Sequence, residues 1–198
     1  MPVTDAERLN CNNSALNCFG TAYIFECRVQ PLKIATKVLT FSSFLGPMAV
    51  GLTVMSVGTT GQLVGWIIVV ALILSCIQIV VSLWALVSEW QNRLAFCEGS
   101  MVENNVLSSD FTDLANNTLL SDSDWRNRAA VLDQKGEYRK REDLRQSVTE
   151  EERRMGMRYA LRYFQRPCSG CRQVPTTIEA SDCSICGSFK IRSFKWLM

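Results

Sequence analysis

Between Val38 and Val87 the chain carries no Asp, Glu, Lys or Arg, and its positions fill with Leu, Ile, Val, Phe and Trp. A soluble domain places a charge about every fourth or fifth residue, so an uncharged stretch of 50 positions reads as membrane. The second half is the more apolar. Leu63 to Val87 is 25 residues of apolar and small side chains, about 37 Å as a helix against a hydrocarbon core of about 30 Å. Trp66 and Trp84 stand near its two ends, where indoles favour the interface. The first half, roughly 38–57, contains Gly46-Pro47, which frees a backbone carbonyl and predicts a kink. Only Gly58-Thr59-Thr60-Gly61-Gln62 separates the two passes, so they must form an antiparallel hairpin. A cleaved signal peptide fits the first pass poorly, because it begins after more than 30 polar and mixed residues and lacks a convincing cleavage site.

On either side of the hairpin the pattern turns helical and amphipathic. Thr4 with Glu7 three residues later predicts a capping box opening a helix over 4–28. Cys11, Ala15, Cys18, Ala22 and Phe25 recur at spacings of three and four and predict its buried stripe. Gln30-Pro31 is expected to break that helix before the first pass. Beyond the second pass the helix is expected to continue through Trp90, Leu94, Cys97 and Met101, whose heptad spacing from Val87 suggests self-association until Asn104 and Ser108 interrupt it. Asn116-Asn117 and the cluster 121–124 mark a turn. A polar helix is expected from about Trp125 to Arg145, and a last one from Thr149, capped by Glu152, towards Phe164.

Charge then fixes an orientation. Arg28, Lys33 and Lys37 precede the first pass and Arg93 follows the second, while the turn is uncharged. The positive-inside rule places both termini in the cytosol. That compartment is reducing, so the nine cysteines are not a disulfide framework. Residues 88–121 hold one basic and five acidic side chains, and 122–198 hold sixteen and eleven, so an acidic neck and a basic tail are distinct pieces. The absence of histidine removes the commonest general base and the commonest nitrogen ligand.

The strongest chemical pattern is Cys168-Ser-Gly-Cys171, eleven residues, then Cys183-Ser-Ile-Cys186-Gly187. Two paired thiols at this spacing let two knuckles meet around one tetrahedral zinc ion held by Cys168, Cys171, Cys183 and Cys186. A redox dithiol pair and an iron site are the alternatives. Gly170 and Gly187 permit the tight backbone that brings amides to the sulfurs. The other five cysteines read as small buried hydrophobes, Cys76 in the membrane included.

Three polar features admit two readings each. Ser75, Gln78 and Ser82 share one face of the second pass, either as glue against Thr40, Ser43 or Thr53 or as a wet face lining a pore. Arg154, Arg158, Arg162 and Arg166 recur every four residues, either as a solvated face paired partly with Glu150 and Glu151 or as a contact for anionic lipid, a nucleotide or nucleic acid. Phe189, Ile191 and Ser193 alternate with Lys190 and Arg192, as the closing strand of a zinc ribbon would. With Lys195 and Trp196 the same tail suits nucleic acid or a membrane surface.

The cysteine string, the preceding Met155-Gly-Met-Arg-Tyr-Ala-Leu-Arg-Tyr-Phe-Gln-Arg, and the stretch from Cys18-Phe-Gly20 to Glu26-Cys-Arg28 closely resemble the bacterial mobilome CxxCx(11)CxxC proteins, carried on integrative elements. More loosely, a short cytosolic helix, two passes and a long cytosolic extension resemble the SLATT class of two-pass effectors. The resemblance implies a protein that opens or damages the membrane in defence.

The expected architecture is thus a mainly α membrane protein. An N-terminal cytosolic amphipathic helix (1–30) leads into a transmembrane hairpin (31–87), a cytosolic helical region (88–166) and a zinc-ribbon-like module with a basic-aromatic tail (167–198). The expected function is a zinc-containing two-pass effector of a mobile element, homo-oligomeric in the bacterial inner membrane. The alternative is a membrane anchor whose zinc module binds protein or nucleic acid. Neither an enzyme nor a small-molecule substrate is expected, since no phosphate-binding glycine loop or nucleophile–base pair is visible.

Overall fold

The computed structural model describes residues 2–57 and 62–189. Within them the chain forms five helices and no strand: α1 (Asp5–Val57), α2 (Gln62–Val87), α3 (Trp90–Asn116), α4 (Asp122–Leu144) and α5 (Glu150–Tyr163). It divides into two compact units. One is built from the residues up to Arg28 together with those from Phe96 onward, and the other from Val29–Ala95.

The helix starts follow their local chemistry. Thr4 and Glu7 exchange the expected bonds, Glu7 accepting from the Thr4 N–H at 2.7 Å and Thr4 Oγ1 accepting from the Glu7 N–H at 3.3 Å. Ser121 caps α4 by accepting from the Asp124 N–H. A full capping box between Thr149 and Glu152 opens α5, and Phe164 closes it.

The break expected at Gln30-Pro31 is absent. α1 runs without interruption through Pro31 and stays helical through Gly46-Pro47. A proline inside a helix removes one hydrogen bond and costs about 3 kcal/mol; here Val29 and Leu32 beside Pro31 are both buried, and packing of that kind outweighs the local preference. At the end of α2, by contrast, the expected continuation of the helix is absent. The helix stops at Val87, and Glu89 turns through φ 52° before α3 begins.

In the first unit α3 and α4 pack on the N-terminal part of α1. Cys11 and Ala15 join Leu107, Phe111, Leu114, Ala115, Trp125 and Leu132 in one core. The Trp125 indole donates to the Leu114 carbonyl at 2.9 Å. The expected stripe on α1 is buried at Cys11, Ala15, Ala22 and Phe25, with Cys18 half-buried. On α3, Cys97 of the expected stripe is buried and Met101 is half-buried. The two polar residues that interrupt the heptads are cross-links: Ser108 donates to the Ala15 carbonyl at 2.8 Å, and Asn104 donates to Asp143 at 2.8 Å. Asp143 also receives Ser100 and both nitrogens of an Arg139 fork. Arg28 of α1 holds the buried Glu152 of α5 at 2.8 and 2.9 Å.

α1 and α5 approach so closely that side chains do not fit. A Cβ on Gly156 would lie 2.5 Å from the Gly20 carbonyl oxygen, and one on Gly20 would lie 2.9 Å from that of Gly156. Beside this crossing Phe19, Tyr23, Tyr159, Tyr163 and Phe164 form a ring cluster, with Tyr23 and Tyr159 3.7 Å apart and nearly parallel and Phe164 edge-on to Phe19.

In the second unit one segment among the described residues, Val69–Val87, is long and apolar enough to cross a membrane. The stretch 38–57 is diluted by Thr40, Ser42, Ser43, Gly46 and Gly51. The turn over 58–61 lies outside the described residues. The hydroxyls of Thr40, Ser43 and Ser75 donate to Thr36, Thr40 and Ala71 carbonyls one turn back on their own helices, so these bonds do not glue the passes together. Ser75 and Ser82 are exposed and Gln78 is half-buried.

Candidate metal centre

α5 ends at Phe164, and the chain turns through Gln165 at φ 51° into Pro167 and the first cysteine pair. Each pair sits in a tight turn of the same form. The Arg172 N–H reaches the Cys168 carbonyl and the Gly187 N–H reaches the Cys183 carbonyl, both at 2.8 Å. Within each turn an amide points at the leading sulfur: Gly170 N–H at Cys168 Sγ and Ile185 N–H at Cys183 Sγ, each at 3.4 Å. The two glycines are needed for close approach. A Cβ on Gly170 would meet Ile185 Cδ1 at 3.1 Å and Cys183 Sγ at 3.2 Å. One on Gly187 would collide with the Ser181 carbonyl.

The turns face one another, so Cys168, Cys171, Cys183 and Cys186 bring four sulfurs within 4.8 Å of each other. Cys168 and Cys183 are 3.9 Å apart, and Cys171 and Cys186 3.8 Å. Sulfurs bound tetrahedrally at about 2.3 Å stand about 3.8 Å apart. The cluster therefore fits a single metal ion, with all four donors used and no open coordination position. The segment forms no strand up to Phe189, and the expected closing strand from Lys190 on, with Arg192, Lys195 and Trp196, lies outside the described residues.

The sulfurs are unlike electrically. Backbone N–H groups of Cys186 and Ile185 hold the half-buried Cys183 thiol down at about 6, whereas burial pushes Cys186 up to about 12. Cys168 and Cys186 are wholly buried against Leu16, Ala160 and Leu161, with Phe19, Met157 and Phe164 around them. A cation among the sulfurs would supply the charge that a buried thiolate needs.

Of the arginine stripe, two members turn toward this site. Arg158 is 9% exposed. Its Nε donates to the Thr177 carbonyl at 2.9 Å and its Nη1 to Ser181 Oγ at 3.0 Å, with Cys186 Sγ 3.9 Å from the same nitrogen. Arg154 donates to the Ser188 carbonyl at 3.3 Å. Arg162 is exposed and Arg166 half-buried. Glu150 pairs instead with Arg153 at 3.1 Å. The stripe is therefore not one surface, a split that helical spacing alone could not reveal. The demand of four thiolates for positive charge was the available clue.

Of the remaining cysteines, Cys11 and Cys97 are buried, Cys18 and Cys27 half-buried, and Cys76 is exposed on α2. Cys18 lines a cleft of about 520 Å³ between α1, α3, α4 and α5. Burial pushes its thiol to about 11, so it stays protonated at neutral pH.

No curated protein and no solved structure matches this sequence. A match across residues 8–189 that includes all four clustered sulfurs shows that the chain belongs to the mobilome CxxCx(11)CxxC family of mobile-element proteins.

Proposed function

We propose that this protein is a non-enzymatic two-pass effector of the bacterial inner membrane. Its cytosolic unit is held together by one zinc ion on Cys168, Cys171, Cys183 and Cys186. The observation that carries the topology is the make-up of the first unit. Residues before Arg28 and residues after Phe96 pack into one core, so they occupy one compartment. The chain between them then crosses a bilayer an even number of times. With Val69–Val87 as one crossing, 38–57 is the other. Phe41, Phe44, Met48, Leu52 and Met55 on that stretch are between 62 and 88% exposed, which suits lipid contact and would be costly in water. The flanking basic residues favour the cytosol for both termini.

The effector role rests on the polar face of α2. Ser75, Gln78 and Ser82 carry hydroxyls and an amide on an otherwise apolar helix, and exposed Ser75 and Ser82 suit a second copy or water as neighbours. A Gln amide has four hydrogen-bonding sites that hydrocarbon cannot serve. Assembly of copies around that face would permeabilise the membrane. Controlled expression in bacteria with a membrane-potential dye tests this: depolarisation should need residues 38–87 and should collapse in Gln78→Leu, where a leucine ring dewets the path. Depolarisation that survives Gln78→Leu would exclude this face as the pore.

No depolarisation under any condition would favour a second reading, a membrane anchor that holds an anionic partner. The stacked Phe19, Tyr159 and Tyr163 beside exposed Arg162 support it, since such surfaces suit nucleic acid.

A further inference from the structure

We infer that Arg158 is the charge partner of the metal centre and biases it toward a divalent ion. The inference rests on the four-thiolate reading of the site. Four thiolates around a divalent ion carry a net charge of −2, and two of them, Cys168 and Cys186, are wholly buried. The amides of Gly170 and Ile185 offer only partial charges to the sulfurs of Cys168 and Cys183. Beside Cys186 stands the full positive charge of Arg158, whose Nη1 lies 3.9 Å from the sulfur and 3.4 Å from the Cys186 carbonyl oxygen. The guanidinium is fixed in place by the Thr177 carbonyl and Ser181 Oγ, on the loop between the two cysteine pairs. It therefore cannot swing away to solvent without breaking that loop's bonds.

Placement decides what this charge selects. A fixed cation beside a buried sulfur favours the more negative state of the centre. For an iron-substituted site that is the ferrous form at −2 over the ferric form at −1, related by one electron with no ligand lost. For the native site it favours a divalent over a trivalent occupant. Arg158 is in this sense a positioning and charge-balancing residue. It binds the metal through no atom of its own, and its loss resembles that of other outer-shell partners, about 10–100-fold in metal affinity.

The test uses the full chain in detergent, loaded with zinc, cobalt or iron. Zinc affinity is read by competition with a chromophoric chelator, and the iron form's reduction potential by mediated titration. Arg158→Gln should weaken zinc about 10–100-fold and shift the iron potential to more negative values. Arg158→Lys should restore part of both. Ser181→Ala, which keeps the charge and the Thr177 bond, should shift the potential less than Arg158→Gln. An Arg158→Gln chain with parental affinity and potential overturns the inference. So does an affinity loss in Arg158→Gln with no change of potential, which would mark a mere loop brace. If Arg158→Gln holds no metal at all, Arg158→Lys decides: bound metal with a potential at or somewhat below the parental value supports the charge role, and loss of metal there too overturns it. Parent chain without a cobalt–thiolate absorption band would bring down the metal reading itself, a different result from any of these.

Discussion

Arg28 and Glu152 stand 124 positions apart, on opposite sides of the whole apolar region, yet form a two-pronged ion pair with side chains 6 and 7% exposed. Arg28 also donates to the Gln146 carbonyl at 2.9 Å, and Glu152 is at once the N3 residue of the α5 capping box. One buried carboxylate therefore serves two tasks. Arg28→Met should strand it and cost about 3–5 kcal/mol, the usual penalty for an orphaned buried charge. Adding Glu152→Gln, which keeps the cap and drops the charge, should recover much of that loss in urea unfolding of the detergent-solubilised chain. A double variant no more stable than Arg28→Met would show that the charge is not what matters.

The pair also bears on topology. Single reporter cysteines placed in 58–62, on a background of masked native thiols, should label from the periplasmic side, and reporters beside Arg28 or Arg93 should not. Labelling at both places from one face would rule out two crossings.

Glycine substitutions should split by position. Gly156→Ala puts a methyl 2.5 Å from the Gly20 carbonyl oxygen and 2.9 Å from Ile24 Cγ1. It should destabilise by about 1–3 kcal/mol despite the better helix propensity of alanine. Gly136→Ala meets only the Phe111 ring at 3.6 Å, an ordinary contact, and should gain up to about 1 kcal/mol. Thermal unfolding of the two variants side by side checks the contrast.

Acid should loosen the N-terminus. The hydrogen bond from Arg126, helped by the Thr4 N–H, lowers the Glu7 carboxyl from 4.5 to about 2. A group depressed in the folded state favours folding above pH 4.5, and that contribution fades as pH falls from 4.5 through 2. Arg126→Gln should return the Glu7 titration part of the way toward 4.5, since the Thr4 bond remains, and remove most of this acid sensitivity. Carboxyl chemical shifts against pH read both.

For the metal, Cys171→Ser or Cys183→Ser should release zinc and expose the segment after Arg166 to protease, because so short a segment cannot replace the lost binding energy by burial. The parent should carry about one zinc per chain. A metal-free chain that resists protease there would contradict it.

What the sequence made legible was local. Capping boxes at Thr4 and Thr149, the stripe through Cys11, Ala15, Ala22 and Phe25, and the two CxxC turns each depend on residues within about a dozen positions. What it hid depends on distant partners. Pro31 is overridden by tertiary packing; Asn104 and Ser108, which looked like faults in a heptad, meet Asp143 and the Ala15 carbonyl. Arg158 looked like one of four equivalent charges until the loop at Thr177 and Ser181 closed over it.

The first unit is discontinuous, and on the two-pass reading this dictates an order of events during synthesis. When α1 leaves the ribosome, its stripe from Cys11 to Phe25 has nothing to pack on, since Leu107, Phe111 and Trp125 are not yet made. The hairpin emerges next and can enter the bilayer while the cytosolic partners are still missing. Only after α3 and α4 arrive can the stripe be covered, and Glu152 must follow before Arg28 is neutralised. The four sulfurs come later than every helix they pack against, so closure of their cluster is a late step. A nascent chain stalled before Cys168 would be membrane-bound, helical and incomplete, with the floor of its metal site (Leu16, Ala160 and Leu161) still facing the cytosol.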